Sequence, residues 1–171
     1  MKATTTSKKS NKIGEKKLSL RKELWPLISE DQLWHRRRNK GFTTIPRAMT
    51  YIMQIMNYLS SGKPVSQTYL ALWCHTFDEY MITISNPKIM AFEAGFNGQR
   101  AETTWKGRMK YLVDLGFVEA RQGISGPYHY VLLLNPFTAI KRLRERGEII
   151  PAEIINTLHE RLSEIGAKEE I

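Results

Sequence analysis

Polar side chains fill the first turns of the segment 99–115, and their types suit contact with a nucleic acid. Amide and hydroxyl groups hydrogen-bond to base edges, while Lys and Arg neutralise phosphates. The pattern therefore predicts a face that enters the major groove of double-stranded DNA. The predicted contacts are Gln99, Arg100, Thr103, Thr104, Lys106 and Lys110.

An apolar stripe on the other side of the same segment would hold this face outward. Its members follow each other at steps of four, four, three and three residues, which is the spacing of one side of a helix. Gly116 follows where a helix often ends on a left-handed residue. The stripe consists of Ala101, Trp105, Met109, Leu112 and Leu115.

A shorter helix is predicted just before this segment. Pro87 stands near its start, where a missing N–H is tolerated. Gly95 ends it, and the pair Asn97-Gly98 is typical of a tight turn with positive φ. The two helices and their turn predict a helix-turn-helix.

Two stretches with strand composition come next, at 117–118 and 128–134. The connecting loop is predicted at 122–127, which holds two glycines, a serine and a proline. Gln122 and Ser125 of this loop are expected to contact the sugar-phosphate backbone.

The order helix, turn, helix, strand, turn, strand over 86–136 resembles the winged helix-turn-helix superfamily, with the likeness carried by RMKYLVDLGFVEARQG. The resemblance covers about the middle of the chain. It implies a winged helix fold, mainly α with a small β component, that binds DNA. Winged helices also serve as protein-interaction modules, so a second hypothesis is an adaptor subunit of a larger protein or ribonucleoprotein assembly. Glu102 favours the adaptor slightly, since a carboxylate among phosphates is unfavourable unless it accepts from cytosine.

The excess positive charge lies near the N-terminus. Residues 1–47 hold 13 basic and four acidic residues, a net +9, whereas residues 48–171 hold 13 of each. Arg36, Arg37, Arg38 and Lys40 form its densest part and predict contacts to phosphates or the minor groove. The alternative for this arm is a solvated or protein-binding surface.

The chain is expected to divide into four parts. Residues 1–17 are too poor in apolar side chains to fold alone and predict a disordered basic tail. Residues 18–44 predict a basic arm with short helices, and 45–136 the winged helix domain. Residues 137–171 predict a C-terminal helical extension that either packs back on the domain or forms a homodimer, as the N-terminal helices also could.

Three elements are expected ahead of the helix-turn-helix. Apolar periodicity predicts a first helix over 45–59 and a second over 65–79, with Ser66 as its possible N-cap. Residues 80–84 predict a short strand, which in a winged fold can pair with the hairpin.

Several classes of protein are excluded by pattern. No phosphate-binding or dinucleotide-binding glycine motif occurs, and no acidic pair stands out as an acid–base couple, so no enzyme and no cofactor are expected. Cys74 and His75 are adjacent and lack a second such pair, so no metal site is expected. No window approaches 18 apolar residues, so no transmembrane helix is expected. Attachment of the basic arm to a membrane surface is a weaker alternative, because the arm lacks interleaved large apolar residues before Leu18.

A single cysteine allows no internal disulfide and favours a reducing compartment, so the expected location is cytoplasmic, and nucleoid-associated in a bacterium. The remaining expectation is a non-enzymatic, sequence-specific DNA-binding protein. Regulation of transcription and control of replication or of a mobile element both fit these residues.

Overall fold

The computed structural model describes the backbone of residues 4–171 and the side chains of residues 14–171. The chain forms two compact units that divide after Phe42. Residues 4–171 contain seven α-helices and one three-stranded antiparallel sheet, which confirms the prediction of a mainly helical fold with a small β component. None of the helices within these residues combines the length and the apolar character that crossing a bilayer requires.

The elements follow one another along the chain with short connections. The helices are α1 (Thr4–Leu24), α2 (Met49–Leu59), α3 (Ser66–Cys74), α4 (Pro87–Glu93), α5 (Ala101–Asp114), α6 (Pro136–Glu145) and α7 (Ala152–Glu164). The strands are β1 (Met81–Thr83), β2 (Val118–Gly123) and β3 (Gly126–Leu133), and 3₁₀ turns occur at Glu30–Gln32 and Lys168–Glu170.

The first unit is built around α1, where the sequence predicts disorder over 1–17; residues 1–3 lie outside the described part. From Glu15 to Leu24 every residue except Ser19 is Lys, Glu, Leu or Arg, all of them good helix formers, whereas the prediction of disorder considered only the lack of apolar side chains. Arg21 and Lys22 in the last turn also complement the negative end of the helix dipole. The helix ends two residues before Pro26, as the proline predicts.

The second unit has one apolar core to which α2, α3, α5, the sheet and α7 all contribute. Helix α7 lies against α2 and buries Ile155, Leu158 and Leu162. The apolar stripe of the C-terminal helix is therefore covered within its own unit. Of the two alternatives for this extension, the structure shows packing back on the domain.

The start of α3 differs from the prediction that Ser66 caps it. The N-cap residue is Val65, and the cap is supplied from α2 by the side chain of Asn57. Its Oδ1 accepts from the backbone N–H groups of Val65 at 2.9 Å and Ser66 at 3.0 Å. A distant amide thus satisfies the free donors that a local side chain usually takes.

The three strands are hydrogen-bonded in the order β1-β3-β2. Met81 pairs with Leu132 and Thr83 with Tyr130, so the predicted pairing of the short strand with the hairpin is confirmed. Strands β2 and β3 extend further than expected, and only Ile124 and Ser125 connect them. Gln122 therefore lies in β2, at an irregularity of the ladder, rather than in a loop.

Candidate nucleic-acid interface

Helices α4 and α5 are joined by a turn that local chemistry fixes at both ends. The side chain of Asn86 caps α4 by accepting from the N–H of Lys88 at 3.1 Å. Gly95 and Gly98 both have positive φ, of 84° and 83°, and the chain reverses between them. Helix α5 then begins at Ala101, two residues later than predicted, so the first two predicted contacts lie on the turn.

The inner side of α5 is anchored in the core as its apolar stripe predicts. Trp105, Met109 and Leu112 are completely buried, while Ala101 and Leu115 at the two ends are half-buried. The ring of Tyr128 on β3 packs edge-on against Trp105 at 5.9 Å between centroids. The helix therefore cannot rotate about its axis without emptying part of the core.

Helix α5 outside its buried stripe and the turn before it carry the predicted contacts, which together we call the α5 face. Gln99, Arg100, Thr103 and Lys110 are exposed, whereas Thr104 and Lys106 are half-buried. Among the described residues, Arg100 has no ion-pair partner, so its guanidinium is available to a ligand.

Two ion pairs lie along the α5 face. Lys106 Nζ contacts Glu102 Oε1 at 2.7 Å, and Lys110 Nζ contacts Asp114 Oδ2 at 2.6 Å. The hydrogen bond from Lys106 lowers the pKa of Glu102, and the hydrogen bond to Asp114 raises the pKa of Lys110. A phosphate group would therefore share either ammonium with a carboxylate or compete with it.

The lowered pKa of Glu102 fixes the sign of its pH dependence. A carboxyl group whose pKa is lower in the folded than in the unfolded chain stabilises the fold at neutral pH, and this contribution is lost as the pH falls through the lowered value. Because the pair is on the surface, the contribution to stability is small.

Replacing Glu102 by glutamine is expected to raise affinity for duplexes of any sequence, because Lys106 is released and a negative charge leaves the α5 face. The slope of log affinity against log salt should steepen by about one. Fluorescence anisotropy at several salt concentrations measures both quantities. Glu164→Gln is the matched control, because it removes the same charge and releases Arg161 on α7, away from the α5 face, and a Glu102 variant with unchanged affinity would contradict the assignment of this face.

Two further residues belong to the α5 face and were missed from the sequence. Lys88 at the start of α4 lies close enough to help lower the pKa of Glu102. Burial raises the pKa of Tyr128, whose hydroxyl is also within electrostatic range of Lys110 and Asp114. Lys88 follows the Asn86 cap at the first turn of a helix, which is a recognisable signal. The sequence around Tyr128 shows only the alternation of a strand, which does not indicate a place on the α5 face.

The two contacts predicted at the hairpin have different surroundings in the structure. Gln122 is exposed, so its side chain is available for the predicted contact. Ser125 is half-buried, and its hydroxyl contacts the carbonyl oxygen of Ile84 and Nδ1 of His129, the latter at 2.7 Å. The Ser125 hydroxyl is already used inside the domain, so we leave it out of the proposed contacts.

The arginine cluster lies in the first unit, and one of its members is bound internally. Arg38 Nη2 donates to the carbonyl oxygen of Glu30 at 2.8 Å and lies 3.5 Å from its carboxylate. Arg36, Arg37 and Lys40 are exposed. The structure thus leaves three of the four predicted cations of this arm pointing to solvent.

Metal binding is another chemistry that His and Cys side chains could support in the described part of the chain. Within that part, no group of three or more His, Cys, Asp and Glu side chains is placed to hold a metal ion. Nε2 of His75 contacts the carboxylate of Glu93, and Cys74 is exposed.

Comparisons with known proteins returned no match: no family model fits the chain, and no curated protein or solved structure is significantly similar. The membership suggested by the sequence therefore stays a prediction. Any functional proposal has to depend on the geometry of the α5 face and its surroundings.

Proposed function

We propose that this protein is a non-enzymatic, sequence-specific double-stranded DNA-binding protein of winged helix type. The observation that carries the proposal is the α5 face itself. A helix anchored by Trp105 presents polar and basic side chains to solvent from its first turns, immediately after the turn from α4. A protruding helix of this kind matches the width of the major groove.

The contacts divide by chemistry. Gln99, Arg100 and Thr103 are exposed at the N-terminal end of the face and suit base edges, Arg100 as a bidentate donor to guanine. Thr104, Lys106 and Lys110 follow along the helix and suit backbone phosphates. Gln122 on β2 would add a contact from the wing. Control of transcription and control of replication or of a mobile element remain equally compatible with this arrangement.

Arg100→Ala is expected to change the sequence that the protein selects from a random duplex library. A well-placed bidentate pair contributes about 1–3 kcal/mol of discrimination at one base pair, which corresponds to a loss of roughly 5–150-fold against the preferred site. Arg37→Ala removes a similar charge from the arm. It should weaken binding to all sequences alike and reduce the salt slope by about one.

Comparing the two variants distinguishes base recognition by α5 from a general contribution of positive charge to affinity. Sequencing of the selected duplexes gives the preferred motif, and anisotropy titrations give the salt slope. If Arg100→Ala keeps both the motif and the affinity of the unchanged protein, α5 is not the reading helix.

An adaptor role is the second candidate, and exposed apolar side chains on α4 favour it. Phe92 is 69 % exposed and Ile89 is 51 % exposed, on the helix next to the α5 face. Large apolar side chains of this kind often anchor protein partners. Affinity purification with and without nuclease distinguishes the two roles, since an adaptor keeps its partner after the nucleic acid is destroyed and loses it in a Phe92→Ser variant.

A further inference from the structure

Helix α6 carries a second concentration of positive charge, outside the predicted contacts. Its end and its C-cap residue span positions 141–146, where four of the six residues are basic and all four are exposed. The opposite side of the helix is buried in the core through Phe137, Ile140 and Leu143. The basic side chains are Lys141, Arg142, Arg144 and Arg146, and we call them the α6 face.

These cations are not paired within the described part of the second unit. Glu145 stands one turn after Lys141, yet no ion pair joins them. The cations of α5 and α7 behave differently, since Lys106 pairs with Glu102 and Arg161 pairs with Glu164 at 3.0 Å. Arg142 and Arg144 lie in the last turn of α6, where positive charge complements the helix dipole. Lys141 lies before that turn, so the dipole does not explain its charge.

The α6 helix begins at the end of the sheet opposite to the hairpin turn. Leu133 pairs with Val118, and the N–H of Leu134 donates to the carbonyl of Phe117 at 3.1 Å, just before α6 starts. The eight residues of β3 separate this end from the turn, a distance of roughly 25 Å at the rise of a strand. Glu170 lies beside the first turn of α6, where it lines one pocket with Pro136 and Phe137, on the far end of the helix from Arg146.

The chemistry of the α6 face fits phosphate groups better than a protein partner. No large apolar side chain of α6 is exposed among its cations. A stable protein interface usually needs such an anchor near its centre. Contact with a polyanion needs only closely spaced Lys and Arg, whose binding releases condensed counterions.

We propose that the α6 face is a second, sequence-independent contact surface for the phosphate backbone of duplex DNA, separate from the α5 face. It adds affinity and salt dependence without choosing a sequence. The choice of duplex DNA as the polyanion rests on the proposed function, but contact through α6 can occur whether or not α5 reads bases.

The test is a triple variant, Lys141→Gln with Arg142→Gln and Arg144→Gln, in the full-length chain. Its binding to a random duplex should weaken at low salt, and the salt slope should fall by about 2–3, close to one for each charge removed. The motif selected from a random library should stay the same. The matched control is Arg47→Gln with Arg161→Gln and Lys168→Gln, which has the same net charge and leaves α6 intact.

The outcomes separate this inference from the proposed function. Equal falls in slope for the triple variant and the control would mean a general charge effect and would overturn the inference, as would an unchanged slope. A slope that is retained while retention on immobilised polyglutamate is lost would assign the α6 face to an acidic protein and also overturn it. If only the reading role of α5 is wrong, Arg100→Ala leaves the motif intact while the α6 variant still lowers the slope.

Discussion

Replacing Trp105 by alanine is expected to lower the free energy of unfolding by about 3–5 kcal/mol, the usual cost of truncating a buried tryptophan. The side chain is completely buried, and it is the largest fully buried side chain of the second unit. Its loss would empty the space between α5 and Tyr128 on β3, whose rings pack edge-on. Because this contact holds α5 in its orientation, specific DNA binding should be lost together with stability. Urea denaturation followed by circular dichroism measures the first effect.

Trp105→Phe is the matched control, because it keeps most of the apolar contact. The indole Nε1 of Trp105 is buried without a hydrogen-bond partner. Removing an unsatisfied donor relieves a cost of about 1–3 kcal/mol, which offsets part of the cavity left by the smaller ring. The phenylalanine variant should therefore be clearly more stable than the alanine variant. An alanine variant that unfolds within about 1 kcal/mol of the unchanged protein would contradict the placement of Trp105 at the centre of the core.

Local periodicity predicted the parts of this fold whose signal lies within one element. The stripe from Ala101 to Leu115 fixed both the existence of α5 and the side that it buries. The alternation from Tyr128 onward likewise predicted β3, since successive residues of a strand face opposite sides. The turn between α4 and α5 followed from Gly95 and Gly98, whose positive φ few other residues adopt.

Features that depend on contacts between distant residues could not be read from the sequence. The cap of α3 comes from Asn57, eight and nine residues before the groups that it binds, so Ser66 was the only local candidate. Ser125 in a Gly-rich turn gave no sign that its hydroxyl faces inward to Ile84, 41 residues away. The hairpin turn is also shorter than predicted, because the hydrogen bonds between β2 and β3 determine where the strands end, and these bonds are not visible in the sequence.

The candidate site shows a related limit, since charge counting does not reveal which charges are free. The segment 99–115 predicted three cations for the α5 face, namely Arg100, Lys106 and Lys110. Two of them, Lys106 and Lys110, are paired with carboxylates one turn away. That pairing was available from the spacing of four residues. The same spacing does not show that the α6 cations are unpaired, because Glu145 stands four residues after Lys141 without contacting it.

The hairpin turn and the start of α4 are fastened together by one buried histidine. His129 is 4 % exposed, and its Nδ1 lies 2.7 Å from Ser125 Oγ and 3.0 Å from the carbonyl oxygen of Ile84. Ile84 is two residues before Asn86, which caps α4. The position of the hairpin relative to α4 therefore depends on this imidazole and on the residues that pack on it.

Gly123→Ala is expected to destabilise the protein by about 1–3 kcal/mol, in the range of overpacked cores, and to displace the β2–β3 hairpin. A Cβ at this position would lie 2.2 Å from Cδ2 and 2.5 Å from Cγ of His129, far inside van der Waals contact. The ring cannot swing aside without breaking its contacts to Ser125 and Ile84. Gly107→Ala in α5 is the matched control, since nothing lies within 4 Å of its added Cβ. It should instead gain about 0.5–1 kcal/mol, the usual advantage of alanine over glycine inside a helix.

A double-mutant cycle with His129→Ala identifies the clash as the cause. His129→Ala removes Cδ2 and Cγ, the two atoms nearest to the new methyl group, and leaves only Cβ at 2.8 Å, so Gly123→Ala should cost less in the His129→Ala background than in the unchanged protein. The coupling should appear in the free energy of unfolding and in duplex affinity alike, because both depend on the same anchored turn. Strictly additive effects would mean that Gly123 is needed for its backbone alone, and that the hairpin is not held through His129.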